Sequence, residues 1–398
     1  MTFSIRGLAW LVAAYYFLQG MGGNPGLHSQ SLLKFLYEDW GYSEEGAAKL
    51  LAVTMIPWMI KPIYGIISDF LPIFRSRRKA YFVITGLLAA VAYGLLSLIN
   101  ITPVMLMVLL TSAAAAFAFS DVLCDAVMVE KGQLVGATDR LQAAQWTAIG
   151  VAGVIVAFAQ GYIAHYLSLS AALKLALVFP IAMVVMTILF LREDAVPAAR
   201  ESARNAWRGL KKAARSKPIL AAAAFLFLYS CSPNLGTVLY SYEKKVLGLT
   251  DIQIGHIGAV GSIGAVVGAA VFGLIAKRLS HALLLKITII AGTVSSALYL
   301  FFVGFWSAVA VSCIATFVYA FAFLGILTVA AKICPKHAEA TVFAALMSCM
   351  NAGTEVGKII GGMFYGITGY TPLILIAAAF TACMWFFLPL MRQKPMTS

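Results

Sequence analysis

Charge is what this sequence has least of. Only 11% of its 398 residues are Asp, Glu, Lys or Arg, and 62% are hydrophobic. Soluble domains carry about a quarter charged residues, so a water-soluble globular protein is excluded. The apolar runs are continuous and lack the alternation of a membrane β-barrel, which excludes that class as well. Acids are scarcer than bases, 16 against 29, for a formal net charge of +13. That excess does not mark a nucleic-acid binder, because about 21 of the bases fall in loops on one side of the expected membrane, as the positive-inside rule requires. The six cysteines (Cys124, Cys231, Cys313, Cys334, Cys349 and Cys383) form no CxxC pair. They fall in or at the ends of apolar segments, so they read as small buried thiols rather than a disulfide framework or a metal site. HExxH, Walker A, GxSxG and GxGxxG contexts are all missing, which argues against a hydrolase or an ATP-driven pump and leaves no cofactor or metal to expect. No small-residue cleavage site follows the apolar stretch from Leu8, which is therefore read as a retained first helix.

What is present is a series of apolar segments, each long enough to cross about 30 Å of hydrocarbon as a helix. The first runs from Leu8 to a Gly/Pro break between Gly22 and Gly26, after which the amphipathic LHSQSLLKFLYEDW continues it. The others are expected at roughly 47–68, 80–99, 103–129, 141–163, 171–191, 218–240, 252–276, 283–303, 306–331, 339–366 and 371–391. Between the sixth and seventh lies a polar stretch, Arg192 to Lys217, rich in Ala, Arg and Lys. This plan predicts an all-α membrane protein of twelve transmembrane helices in two six-helix bundles with pseudo-two-fold symmetry. Its parts are a first bundle over 1–191, a cytoplasmic basic linker over 192–217 and a second bundle over 218–398. Both termini are then cytoplasmic, in a bacterial inner membrane, and the protein is expected to be a monomer with no nucleic-acid partner.

Ionisable groups at membrane depth carry the chemistry. Each costs about 2.5–3.5 kcal/mol at the bilayer centre, so it needs a partner, a water cavity or a ligand. The stretch KPIYGIISDF places Lys61 and Pro62 inside an apolar run. Lys61 lies eight residues before Asp69, roughly 12 Å along a helix. In the fourth helix, Asp121 and Asp125 are four apart and share a face. Asp121 lies roughly 13 Å from Glu130, close to the depth of Lys61. A pair between Lys61 and either aspartate is expected, and either structural pairing or a part in transport explains it. Pro62 is expected to kink the helix just after Lys61. In the eleventh helix, Glu355 and Lys358 are three apart and can pair with each other. At the cytoplasmic edge, Gly65, Asp69 and the basic residues Arg75, Arg77 and Arg78, with Glu130 and Arg140, form a candidate gate.

Uncharged polar residues add candidates for a pocket: Gln19, Asn24, His28 and Gln30 near the break in the first helix, Asn234, Tyr240 and Tyr242 at the end of the seventh, Gln145 and Trp146 in the fifth, and Asn351 in the eleventh. Each also has a plainer reading. An Asn or Gln in a span hydrogen-bonds a neighbouring helix, and Tyr or Trp near a span end marks the interface. His165, His256, His281 and His337 read as loop or helix-end residues.

Three stretches resemble a known family. WMIKPIYGIISDFLPIFRSRRKAY (Trp58 to Tyr81) carries the Lys-Pro, the Gly-x-x-x-Asp, the Pro-Ile and the Arg-Arg of the folate–biopterin transporters, a branch of the major facilitator superfamily. SDVLCDAVMVEKG (Ser120 to Gly132) is similar to that branch's fourth helix, and AEATVFAALMSCMNAG (Ala338 to Gly353) to its eleventh. The resemblance implies a secondary active transporter that moves a folate or pterin by alternating access, proton-coupled or by exchange. Its partners would be that small molecule, protons and the lipid bilayer. Asp121, Asp125 and Glu355 become candidate ring binders or proton carriers, and Lys61 and Lys358 candidate partners for the anionic tail. The rivals are a carrier for another organic anion, drug or peptide fragment, a membrane receptor or scaffold that does not transport, and an integral membrane enzyme.

Overall fold

Apolar runs of this length can satisfy their backbones in lipid only as helices. The structure, a computed structural model, describes residues 5–23, 25–74, 76, 78–134, 138–191, 193, 215–276, 278–333 and 339–388, and it is helical apart from turns and one isolated bridge between Ile73 and Ser76. Nine helical stretches among the described residues are long and apolar enough to cross a membrane. The expected crossings at the first, seventh and eleventh positions are not among these nine. The chain divides into two units, Met1–Phe35 with Val53–Asn205, and Leu36–Ala52 with Ala206–Ser398.

The first unit holds α1 (Ile5–Gly22), α2 (Ser29–Lys34), the end of α3 (Glu44–Met59) from Val53 onward, α4 (Lys61–Phe70), α5 (Lys79–Leu98), α6 (Pro103–Leu134), α7 (Thr138–Tyr166) and α8 (Leu169–Phe190). α1 packs on α7 and α8, α5 on α6 and α8, and α4 on α6. The Tyr93 hydroxyl donates to the Gly22 carbonyl at 2.7 Å and satisfies a group freed where α1 ends. Ser168 caps α8, accepting from the Ala171 amide at 3.3 Å.

The expected kink after Lys61 is corrected. The helix breaks before Lys61, at Ile60, whose φ and ψ of −110° and 20° are not helical. Pro62 therefore sits in the first turn of α4, where its missing amide costs little. Pro57, inside α3, stands just ahead of the break.

The second unit holds α9 (Lys217–Ser230), α10 (Gly236–Lys245), α11 (Asp251–Ala276), α12 (His281–Leu298) with a 3₁₀ turn at Tyr299–Phe301, α13 (Phe305–Ile333), α14 (Glu339–Thr368) and α15 (Tyr370–Cys383). The seventh helix, expected unbroken over 218–240, is thus two helices separated at residues 231–235. α11 packs against α13 so closely that a Cβ added at Gly264 or Gly268 would lie 2.3 Å from the Cys313 carbonyl oxygen or 2.4 Å from that of Phe317. Small residues four apart let two membrane helices touch backbone to backbone. Phe225, Leu226, Leu284, Leu285, Ile289 and Leu346 centre the apolar core of this unit.

Segment Leu36–Ala52 belongs to the second unit although chain on both sides of it belongs to the first. A Cβ at Gly362 of α14 would lie 2.9 Å from the Glu45 backbone, and the Tyr37 hydroxyl donates to the Thr237 carbonyl at 2.9 Å. Cys124 and Cys231 are buried, as their composition predicts, whereas Cys383 is exposed and departs from that expectation.

Candidate functional site

In the first unit, two helices bring the expected charges together. α4 presents Lys61 and α6 presents Asp121, and the Lys61 ammonium reaches Asp121 Oδ2 at 2.5 Å, with side-chain exposures of 19% and 10%. Of the two aspartates, Asp121 is the lysine's partner. Its other oxygen, Oδ1, accepts from Gln19 Nε2 of α1 at 2.9 Å. The Lys61 ammonium also lies 4.7 Å from the centre of the Trp58 ring, which one face of an aromatic favours.

Asp125, one turn further along α6, is served differently. Its Oδ1 accepts from the Tyr16 hydroxyl at 2.5 Å and from Gln145 Nε2 of α7 at 3.4 Å. Two carboxylates on one helix face therefore differ in kind, one neutralised by a lysine and one held by neutral donors. A site of this make-up can offer Asp125 as an acceptor and Lys61 as a cation within one region.

Tyr16 and Trp58 were not singled out from the sequence. Both lie three residues before a candidate that was, Gln19 and Lys61, so helical spacing was the available signal.

In the second unit, Glu355 and Lys358 of α14 pair at 2.6 Å, as their spacing predicts. Glu355 is 7% exposed, and its Oε2 is buried without a hydrogen-bond partner among the described residues. Asn234 lies in the break between α9 and α10. Its amide donates to the Gly357 carbonyl at 3.2 Å and its Nδ2 to the Thr354 carbonyl at 3.4 Å, so it pins the broken helix to α14. Gly236, with φ of +26°, lets the Lys358 stem pass, since a Cβ there would meet Lys358 Cγ at 2.8 Å. Asn351 lies on the same helix, one turn before Glu355.

Other candidates are placed away from these two groups. Tyr240 donates to Asp251 Oδ1 at 3.0 Å, and Tyr242 stacks on Tyr370 with ring centres 3.7 Å apart. His28 is fully buried against Tyr93, ring centres 5.0 Å apart, and neither ring nitrogen has a hydrogen-bond partner among the described residues. Gln30 is buried on α2, and Trp146 is half exposed.

At the candidate gate, Gly65 packs on α6, and Arg78 Nη1 donates to Ser68 Oγ at 2.5 Å. Glu193, another residue the sequence reading missed, accepts from the backbone amides of Arg78 at 3.0 Å and Lys79 at 2.9 Å and from Ser76 Oγ at 2.6 Å. A carboxylate at the first turn of α5 satisfies free amides and complements the helix dipole. Asn24, Arg75, Arg77 and His337 lie outside the described residues, as do the side chains of Asp69, Glu130 and Arg140.

Residues 19–375 match the BT1 family. The chain is 26% identical over 372 residues to a folate-biopterin transporter of Synechocystis, covering 88% of this chain and 74% of that one. It is 26% identical over 392 residues to a probable folate-biopterin transporter of Arabidopsis thaliana, covering 91% and 76%. Folate transporter 2 of Plasmodium falciparum is 22% identical over 356 residues, covering 85% and 77%. Among solved structures, the nucleoside transporter NupG matches with a TM-score of 0.73 at 15% identity, over 98% of this chain and 99% of that one. A D-xylose-proton symporter matches with a TM-score of 0.72 at 13% identity, over 98% and 100%. Identities that low carry the fold alone, and the fold is that of the major facilitator transporters. With the family match running from Gln19 through Lys61, Asp121 and Asp125 to Glu355 and Lys358, the chain belongs to the BT1 family and is a multi-pass membrane transporter, not an enzyme.

Proposed function

We propose that the chain carries a folate or pterin across the membrane, with Lys61, Asp121 and Asp125 at its binding site. The observation that supports this most is the unequal pair of carboxylates on α6. Asp121 is neutralised by Lys61, and among the described residues Asp125 is held by Tyr16 and Gln145 alone. A pterin ring presents adjacent N–H donors that a carboxylate can accept in pairs. Asp125 is the acceptor for that edge, and Trp58, whose ring centre lies 4.7 Å from the Lys61 ammonium, offers a flat face. A folate tail carries carboxylates, for which Lys61 is the proposed cation in the first unit and Lys358 a separate candidate in the second. The curated relatives are named as folate or folate-biopterin transporters, which favours this substrate over another organic anion.

The transport unit is proposed to be a monomer of twelve helices in two six-helix bundles, 1–191 and 218–398, joined by the linker 192–217. It works by alternating access, driven by protons or by exchange, in a bacterial inner membrane with both termini cytoplasmic. The residues proposed to gate it are Gly65, Asp69, Arg75, Arg77, Arg78, Glu130 and Arg140.

The test is uptake of labelled folate and of labelled biopterin into proteoliposomes. The expected result is saturable uptake by the wild type, and loss of it in Asp125→Asn with the melting temperature retained. Absence of saturable binding of any pterin overturns the substrate, and undiminished uptake by Asp125→Asn overturns the site.

A further inference from the structure

Four of the described carboxylic residues are less than a tenth exposed: Asp121, Glu243, Asp251 and Glu355. Three have a lysine. Asp121 pairs with Lys61, Asp251 with Lys244 at 3.3 Å, and Glu355 with Lys358. Glu243, at 3% exposure, has no cation within ion-pair distance among the described residues. It lies on α10, beyond the apolar stretch Ile219–Ser230 and before the span that starts at Asp251.

Burial without an ion pair among the described residues disfavours a negative charge there. Tyr240 on the same helix, Tyr299 in the turn after α12 and Tyr370 at the start of α15 all lie close enough to feel that charge. Two of their hydroxyls are committed elsewhere. Tyr240 donates to Asp251, and Tyr370 donates to the Tyr299 carbonyl at 3.1 Å. The nearby cations are committed too. Lys244 faces Asp251 and, at 3.5 Å, Glu38, while Lys245 faces Glu44 at 3.1 Å. Glu38 and Glu44, on the segment packed over α10, add only like charge.

A lone carboxylate taken out of water keeps its proton rather than its charge. Burial pushes the Glu243 carboxyl up to about 8, so it holds its proton at neutral pH and gives it up above that value. A group poised there responds to small changes in hydration. Lys245, half exposed on the same helix, brings water-facing surface within one turn of it.

We propose that Glu243 is the proton-binding site of this carrier, loaded while the carboxyl is buried as in the described arrangement and emptied to water when that burial is relieved during transport. In the emptying step the carboxyl O–H bond breaks, the proton passes to water and the carboxylate remains. In the loading step the same proton transfer runs backwards. The inference rests on the chain being a transporter and not on its substrate being a pterin.

Infrared difference spectra of the purified protein in lipid nanodiscs, taken about one pH unit on either side of the Glu243 value of about 8, read the protonated-carboxyl C=O band directly. The wild type is expected to lose a band as the pH rises, and Glu243→Gln is expected to lack that band. In proteoliposomes, Glu243→Gln should keep folate exchange while its accumulation under a proton gradient falls by at least about tenfold. Glu243→Asp should respond to the gradient again. A band that persists in Glu243→Gln, or gradient-driven accumulation equal to wild type in that variant, overturns the proposal. If Glu243→Gln does not fold, a band that titrates unchanged in Glu243→Asp overturns it instead. If the wild type takes up no folate, the substrate reading fails, and the infrared titration alone decides the proton site.

Discussion

At the scale of single residues, Lys61 and Asp121 form a buried pair whose two halves are not equivalent. Asp121 has a second donor in Gln19, whereas among the described residues the Lys61 ammonium has only the carboxylate and the face of Trp58. Asp121→Asn therefore strands a cation, and removing one partner of a buried pair costs about 3–5 kcal/mol. The expected outcome is a clear fall in melting temperature together with loss of uptake. The double variant Lys61→Met with Asp121→Leu should recover much of the melting temperature and none of the uptake, because it removes the charges together. Tyr16→Phe takes one donor from Asp125, and a buried acceptor left short of a partner costs about 1–3 kcal/mol. Pterin binding measured by calorimetry should change in that variant while Asp125 stays in place. A pair between Lys61 and one of the two aspartates was legible in the sequence because the charges could be placed at similar depth by counting back to the membrane edge, but which of Asp121 and Asp125 it would be was not. Tyr16 was not, because a tyrosine in an apolar helix looks the same whether its hydroxyl meets a carboxylate or the headgroup region.

At the scale of elements, the long apolar helices were readable and their interruptions were not. The break at Ile60 leaves no special residue at the break itself. Only the prolines on either side hint at it, and the kink they suggest falls on the wrong side of Lys61. The break between α9 and α10 contains Pro233 and Asn234, yet the flanking Ala-rich and Tyr-rich stretches continue the pattern across it. Glu193 was invisible for another reason: its partners are the amides of residues 78 and 79, more than a hundred positions away. Glu193→Ala should cost about 1 kcal/mol, the usual effect of losing a helix cap, read as a small drop in melting temperature. Gly268→Leu should cost more. Its side chain would occupy the place of the Phe317 carbonyl, and overpacking of this kind costs about 1–3 kcal/mol. The result should be a lower melting temperature with the substrate affinity of the surviving protein unchanged, because the contact lies far along the chain from Lys61 and Asp125.

At the scale of the whole molecule, the family and the transporter fold were legible from three short stretches. What no stretch could show is which unit a segment packs with, since local sequence fixes a helix but not its neighbours. Segment Leu36–Ala52 is the plainest case. It is anchored at its middle by Glu44, which accepts from the Ser241 hydroxyl and from Lys245, and near its start by Tyr37, which reaches Thr237 and stacks near Tyr240. The chain therefore crosses between its two units three times, and not only at the basic linker. Cutting the linker leaves an amino-terminal fragment that still carries a ready-made plug for the other one. Two separately expressed pieces, divided within residues 194–214, should find each other in the membrane, co-purify and restore uptake. Deleting residues 37–51 from the first piece should abolish that complementation.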